Sequence, residues 1–377
     1  MPQRVLIAPD KFKGTLTALE AARAIAAGWS AIRPHDSIVL LPMSDGGDGF
    51  GSVLADSLQA HRHETATVDS AHRPRTAPWW LGHDGRTAVV ETAQIIGLAL
   101  LPQARFHPFD LDTFGIGTVL QKIVATGASE CIAGIGGSST NDGGFGLARA
   151  LGWTFLDAQQ EPITRWTCLN RLERMEPPKE SLATVCQFTV AVDVDNPLLG
   201  PNGCSRIYGP QKGLRSEDMQ TAEAALERLA EVANRCLGRD FASVPGSGAA
   251  GGLGFAFQAF LGARAQSGFE IFARASDLDR QITESDIVIT GEGALDQQSW
   301  MGKGTGRMAV RAKSLGRHCI GLAGFAAGMS DSERESSPFN KTYAIVPGMT
   351  SEAEAKTHAA FWLEKLAVQA AQDHVAN

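Results

Sequence analysis

Gly136-Gly137-Ser138-Ser139-Thr140-Asn141-Asp142-Gly143-Gly144 packs four glycines, three hydroxyls, an amide and a carboxylate into nine residues, directly behind the apolar run Ile132-Ala133-Gly134-Ile135. Glycine lets backbone N–H groups approach a ligand closely, and successive N–H groups in such turns form an anion-binding concavity. A helix beginning at Phe145 would add the positive potential of its N-terminus. The composition suits the handling of phosphate. It equally suits a turn between a buried strand and a helix, because it matches neither Walker A nor G-x-G-x-x-G.

The other reactive side chains also follow predicted buried strands. They are the lysines Lys11, Lys13, Lys212 and Lys303 and the acids Asp10, Asp45, Asp48, Asp142, Asp193, Asp195, Glu292 and Asp296. Lysines and backbone N–H groups hold phosphates, carboxylates hold Mg²⁺, and one carboxylate can accept the proton of an attacking hydroxyl, so the set points to phosphoryl transfer. No G-x-S-x-G elbow, cysteine-nucleophile context or zinc-ligand spacing competes with that reading. His61-Arg62-His63 reads as a solvated segment and Trp79-Trp80 as sheet packing.

These residues need a scaffold, and the composition supplies one. At 377 residues, 44% hydrophobic and 20% charged, the chain has room for two or three domains with sizeable cores. A net charge of −7 argues against a nucleic-acid partner. No signal-peptide h-region and no membrane-length apolar run is visible. The six cysteines lack C-x-x-C spacing and read as the reduced thiols of a cytoplasmic protein.

Strand, polar glycine-rich loop and helix alternate over the first sixty residues and again over the last hundred, which is the signature of a parallel α/β sheet. Thr17-Ala18-Leu19-Glu20 reads as a capping box opening the first helix. Between these parts the rhythm changes to short alternating strands, with Gly82-His83-Asp84-Gly85 as a hairpin turn. The economical organisation is a doubly wound domain made of 1–60 and 281–377, interrupted by an inserted α/β domain at 61–280. Gly209-Pro210-Gln211-Lys212-Gly213 is expected as a loop, and Gly246 to Gly254 as a glycine-rich turn that permits tight helix packing.

With the loops in order, the chain resembles the bacterial glycerate kinase family, type I. The segments that carry the resemblance are Ala8-Pro9-Asp10-Lys11-Phe12-Lys13, Asp45-Gly46-Gly47-Asp48-Gly49, Gly136 to Gly144, Asp193 with Asn196-Pro197-Leu198, and Gly209 to Gly213. Further on come Gly248 to Gly254, Ile289-Thr290-Gly291-Glu292-Gly293, and Asp296 with Gln298-Ser299 and Gly302-Lys303. The resemblance implies ATP-dependent phosphorylation of D-glycerate with Mg²⁺, usually giving 2-phosphoglycerate. It also implies a flavodoxin-like domain interrupted by a second α/β domain, with the site in the cleft between them. The chain departs from the pattern at Lys11, Asp48, Asp195, Ala294 (where an arginine is usual) and Thr305 (where a proline is usual).

On this resemblance the ATP phosphates are expected against Gly136, Gly137, Ser138, Ser139, Thr140, Asn141 and Asp142, with Glu292 and Lys303 as further cofactor contacts. Lys13 and Lys212 are expected to neutralise the transferring group or the glycerate carboxylate. Asp45 and Asp296 are expected on Mg²⁺, and Asp193 or Asp45 as general base, with Asp193 favoured. A kinase for another small hydroxy acid and a non-catalytic anion-binding regulator are the competing readings. Which loop holds ATP, which holds glycerate, and the oligomeric state stay open.

Overall fold

Thr17 opens the first helix as its sequence requires: its hydroxyl accepts the Glu20 N–H at 3.2 Å while the Glu20 carboxylate accepts the Thr17 N–H at 2.9 Å. The structure, a computed structural model, describes residues 1–47, 49–102, 105–295, 304–326 and 337–375. It divides into two compact units, Met1–Asp45 with Phe269–Asn377, and Gly46–Gly268.

In chain order the elements are β1 (Arg4–Ile7), α1 (Ala18–Ile32), β2 (Ser37–Leu40), α2 (Phe50–Ser57), β3 (His61–Val68), β4 (Pro74–Leu81), β5 (Thr87–Glu91) and α3 (Ala93–Ile96). There follow α4 (Phe114–Ala125), β6 (Glu130–Gly134), α5 (Phe145–Ala150), β7 (Thr154–Asp157), β8 (Leu172–Glu176), β9 (Gln187–Ala191), α6 (Cys204–Lys212) and α7 (Met219–Leu237). The chain then runs through α8 (Ala249–Leu261), β10 (Arg264–Gln266), α9 (Gly268–Ala275), α10 (Leu278–Thr283), β11 (Ile287–Leu295) and α11 (Thr305–Ser314). It closes with β12 (His318–Ala326), β13 (Lys341–Val346), α12 (Glu352–Thr357) and α13 (Ala359–Val375).

Among the described residues, the first unit carries the sheet order β13-β12-β11-β1-β2, with every pair parallel. Counted within the unit this is the order 2-1-3-4-5, the flavodoxin-like arrangement, whose ligands sit beyond the carboxyl ends of the strands. Val5, Ile7, Ile287, Ile289, Ile320 and Leu322 face a core shared with Ile25 and Trp29 of α1 and Leu363 and Leu366 of α13. Gly28 makes the α1–α13 crossing possible, since a Cβ there would lie 2.2 Å from the Glu364 carbonyl oxygen.

The second unit carries the order β10-β9-β6-β5-β4-β3, parallel from β10 to β5 and antiparallel beyond. A separate hairpin, β7–β8, has no counterpart in the sequence reading. Trp79 is sheet packing, its indole N–H donating to the Thr65 hydroxyl at 3.0 Å. The units cross after Asp45 and before Phe269, whereas the sequence rhythm put the crossings at 60 and 281. Residues 46–60 pack with the second unit because their small side chains fit its sheet: a Cβ on Gly51 would meet the Trp80 ring at 2.1 Å.

Candidate active site

The carboxyl edge of the first unit's sheet gathers the acids. Ile7 of β1 is level with Leu40 of β2 and Ile289 of β11, so Asp10, Asp45 and Glu292 all leave the sheet on one edge. Asp10 is buried, its N–H donating to the Gly291 carbonyl at 2.8 Å and its carboxylate accepting the Lys11 N–H at 2.7 Å. Burial first, then the Asp45 carboxylate, pushes Asp10 up to about 7; Lys11 pulls the other way and Glu292 adds a smaller push. The Thr305 hydroxyl, at the start of α11, donates to Glu292. Lys13 sits exposed on a tight turn that the Phe12 carbonyl closes by accepting the N–H groups of Thr15 and Leu16 at 2.9 and 3.0 Å.

The second unit builds its own carboxyl edge. Glu91, Gly134 and Ala191 are in register at the ends of β5, β6 and β9. Glu91 is buried and accepts the N–H groups of Gly49 and Gly51 at 3.0 and 3.1 Å, closing the start of α2. Past β9, Asp193 accepts the Ser267 hydroxyl at 2.7 Å and the Gly268 N–H, at the start of α9, at 2.9 Å.

Within the glycine-rich segment, accessibility ends early. Gly136 is half-buried and Gly137 exposed, but Ser138 is 5% exposed and Ser139, Thr140, Asn141 and Asp142 are each 0% exposed. Ser139 donates to the Ile96 carbonyl at 2.7 Å, and Asn141 Nδ2 to the Ser205 hydroxyl at 2.9 Å. Asp142 accepts the Thr113 N–H and hydroxyl and the N–H groups of Gly144 and Gly146, all at 2.8–3.2 Å. The N-terminus of α5, expected to face a phosphate, is therefore occupied by the loop's own carboxylate. Burial and the neighbouring Asp112 push Asp142 up to about 6 despite these donors.

Lys212 is also placed differently from the expectation. Gly209 to Lys212 continues α6, Pro210 included, and the helix stops at Gly213 with φ 106°. The Lys212 ammonium is buried, donating to the Thr140 carbonyl at 2.6 Å and the Ser138 hydroxyl at 2.9 Å. Gly246 to Gly254 supplies the opposite wall: Ala250, Gly251 and Gly252 are left-handed, and Gly251 accepts the Gly143 N–H at 3.1 Å.

Residues 5–374 match the sequence profile of the glycerate kinase family. A glycerate kinase of Halalkalibacterium halodurans is 37% identical, covering 96% of both chains, and a glycerate 2-kinase of Escherichia coli K12 is 40% identical over 85% of both. A crystal structure of a Salmonella typhimurium LT2 protein assigned as glycerate kinase 2 superposes with a TM-score of 0.85 at 32% identity, covering 100% of this chain and 99% of that one. This chain belongs to the glycerate kinase family. It is therefore an enzyme of the kinase class, built on the flavodoxin-like sheet and second α/β unit that the resemblance implies.

In this glycerate kinase family member, the expected residues fall into two sets. Asp45, Lys13 and Glu292 share the first unit's carboxyl edge, and Gly136 to Asp142, Lys212 and Asp193 share the second unit's. Asp48, Asp296 and Lys303 lie outside the described residues. Two carboxylates outside that expected set emerge. Asp10 stands in the sequence inventory of acids with no assigned role beyond a possible turn cap, and its burial beside Asp45 sets it apart. Glu91 ends the apolar run Ala88-Val89-Val90 and opens no glycine-rich polar segment that would single it out. Among the described residues no helix is long and apolar enough to cross a membrane, and all six cysteines are free thiols.

Proposed function

We propose that the enzyme transfers the terminal phosphoryl group of ATP to D-glycerate, giving 2-phosphoglycerate. The observation that carries this reading is the pairing of Asp10 and Asp45 at the carboxyl edge of a flavodoxin-like sheet, with Glu292 nearby and Lys13 presented on the adjoining turn. Two neighbouring carboxylates, one of them buried, concentrate negative charge that only a cation or a proton relieves.

That donor set fits Mg²⁺. Among the described residues no three acidic, His or Cys side chains converge on one point, but Mg²⁺ characteristically takes one or two carboxylates and leaves its other positions to water and substrate phosphates. Asp45 and Asp10 would hold it, with Asp296 as a further candidate ligand. When bound it neutralises phosphate oxygens in the transfer. The protein's own residues do the rest. Lys13 supplies mobile positive charge to the transferring group or the glycerate carboxylate. The N–H of the exposed Gly137 holds a phosphate oxygen, the Gly136 N–H being committed to the Gly46 carbonyl at 3.2 Å. Asp193, its carboxylate fixed by Ser267 and Gly268, orients the glycerate hydroxyl and accepts its proton.

Phosphorus NMR of a reaction containing ATP, MgCl₂ and D-glycerate tests the reading. A 2-phosphoglycerate resonance growing with ADP supports it. No glycerate-dependent ADP formation overturns it, and a 3-phosphoglycerate resonance overturns the assigned product.

A further inference from the structure

We propose that Lys212 is a positioning residue, which locks the segment Gly136–Gly144 against the left-handed turn Ala250–Gly252 and acts through Ser138 and Thr140 without touching a substrate. Its effect on turnover rests on the phosphate-binding part assigned to Gly137 above; the lock itself does not.

The lysine is enclosed by what it holds. Lys212 is 7% exposed, and its ammonium directs two donors at 2.6 and 2.9 Å to the Thr140 carbonyl and the Ser138 hydroxyl. Ser138 passes the contact on by donating to the Ala250 carbonyl at 2.8 Å, while the Gly143 N–H donates to the Gly251 carbonyl at 3.1 Å. Consecutive carbonyls of one turn thus grip the loop at two points, with the lysine between them. A Cβ on Gly251 would lie 2.0 Å from the Thr140 carbonyl oxygen and 2.8 Å from the lysine nitrogen, so no wider roof fits.

The turn itself is costly. Ala250 is a non-glycine residue at φ 56°, ψ 33°, a conformation that side chains with a Cβ adopt rarely. Strain of this kind persists only where the surroundings over-determine it, and here the two carbonyls it aims are the ones the loop uses. A lysine meant for a substrate phosphate would keep its donors aimed outward. Two of its three N–H donors are committed to the Thr140 carbonyl and the Ser138 hydroxyl, and swinging out toward a ligand would take the lysine donor away from a buried carbonyl. Burial also brings its ammonium down to about 8, in keeping with a lysine enclosed by protein.

The test is a double-mutant cycle on the full chain, read by steady-state rates with ATP, MgCl₂ and D-glycerate and by amide exchange of residues 136–146 without ligand. Lys212→Met should lower kcat/KM by about 100-fold and Ser138→Ala by about tenfold, with the double variant within about twofold of Lys212→Met, because both act through one contact. Loop exchange should quicken at least about tenfold in Lys212→Met. Lys212→Arg should not rescue, since the larger group cannot fit beneath Gly251. Losses that multiply, recovery in Lys212→Arg, or unchanged loop exchange would each overturn the proposal. If Lys212→Met does not fold, Ser138→Ala decides by loop exchange alone. If the wild-type enzyme shows no glycerate-dependent turnover, the functional reading fails, and exchange still settles the lysine's role.

Discussion

Asp142 Oδ2 accepts both the backbone N–H of Thr113, at 3.0 Å, and its hydroxyl, at 2.8 Å, so that one carboxylate ties the start of α4 to the loop ahead of α5. The Thr113 hydroxyl in turn accepts the Leu147 N–H at 2.8 Å. Two helix starts and a glycine-rich loop share a single buried acceptor. What looks in sequence like a ligand carboxylate among glycines is an internal brace.

Asp142→Ala should therefore destabilise the second unit by about 3 kcal/mol or more, because several buried donors lose their acceptor together. Chemical denaturation followed by Trp fluorescence measures it. A loss below about 1 kcal/mol would show that the loop can re-pair its N–H groups without the brace.

Asp142 also predicts a pH dependence. Its folded-state value, about 6, is raised above the ordinary aspartate value of 3.8. The protonated form is favoured in the fold, so its contribution is fully present below about pH 4 and is lost as pH rises through about 6. In Asp142→Asn this component should vanish, although stability falls at every pH because an amide N–H then faces backbone donors. Unfolding free energies at pH 4.5 and 7 for both proteins give the comparison, and an identical pH difference would remove Asp142 as its source.

The first unit should show the opposite sign. His318 and His374 sit 6.0 Å apart and are both held below the usual histidine range, His318 by burial, His374 by burial and then Arg33 and His318. Their contribution is present above the ordinary histidine value and is lost as pH falls through the lower folded-state values. Protection factors in α1 and α13, with the intrinsic pH dependence of amide exchange divided out, should fall between pH 7 and pH 5, less so in His374→Gln. An equal fall in the variant would contradict this.

Gly28→Val tests the packing of the same helices. With the Glu364 carbonyl oxygen 2.2 Å from where a Cβ would sit, α1 and α13 must separate. The expected cost is about 2–4 kcal/mol, seen as a lower melting temperature. An unchanged melting temperature would mean that the crossing is looser than the structure shows.

The parts legible in sequence are those that local chemistry dictates. Thr17 and Glu20 announce their helix because a capping box needs no tertiary partner. The strands of the first unit show in apolar runs such as Val5–Ile7 and Ile287–Ile289 that end in polar glycine-rich segments, while their flavodoxin-like order comes only with the family resemblance. What was not legible depends on partners distant in the chain. Gly209-Pro210 looks like a helix breaker, yet α6 continues to Lys212, where the Ser138 hydroxyl and Thr140 carbonyl capture the ammonium. Asp142 and Glu91 acquire their roles from backbone N–H groups that sequence spacing cannot bring together. The burial of Asp10 depends on the full sheet, so its chemistry shows only once β11 and β2 flank β1.

The central claim is that the paired carboxylates at the end of β1 and β2 carry the phosphoryl chemistry. The most direct measurement is the glycerate-dependent rate of ADP release by Asp45→Asn and Asp10→Asn at saturating ATP and MgCl₂, alongside their melting temperatures. The account predicts a loss in kcat of about 10³-fold or more in each, with melting temperatures at or above wild type because a like-charge repulsion has been removed. Turnover within about tenfold of wild type in both correctly folded variants would contradict it.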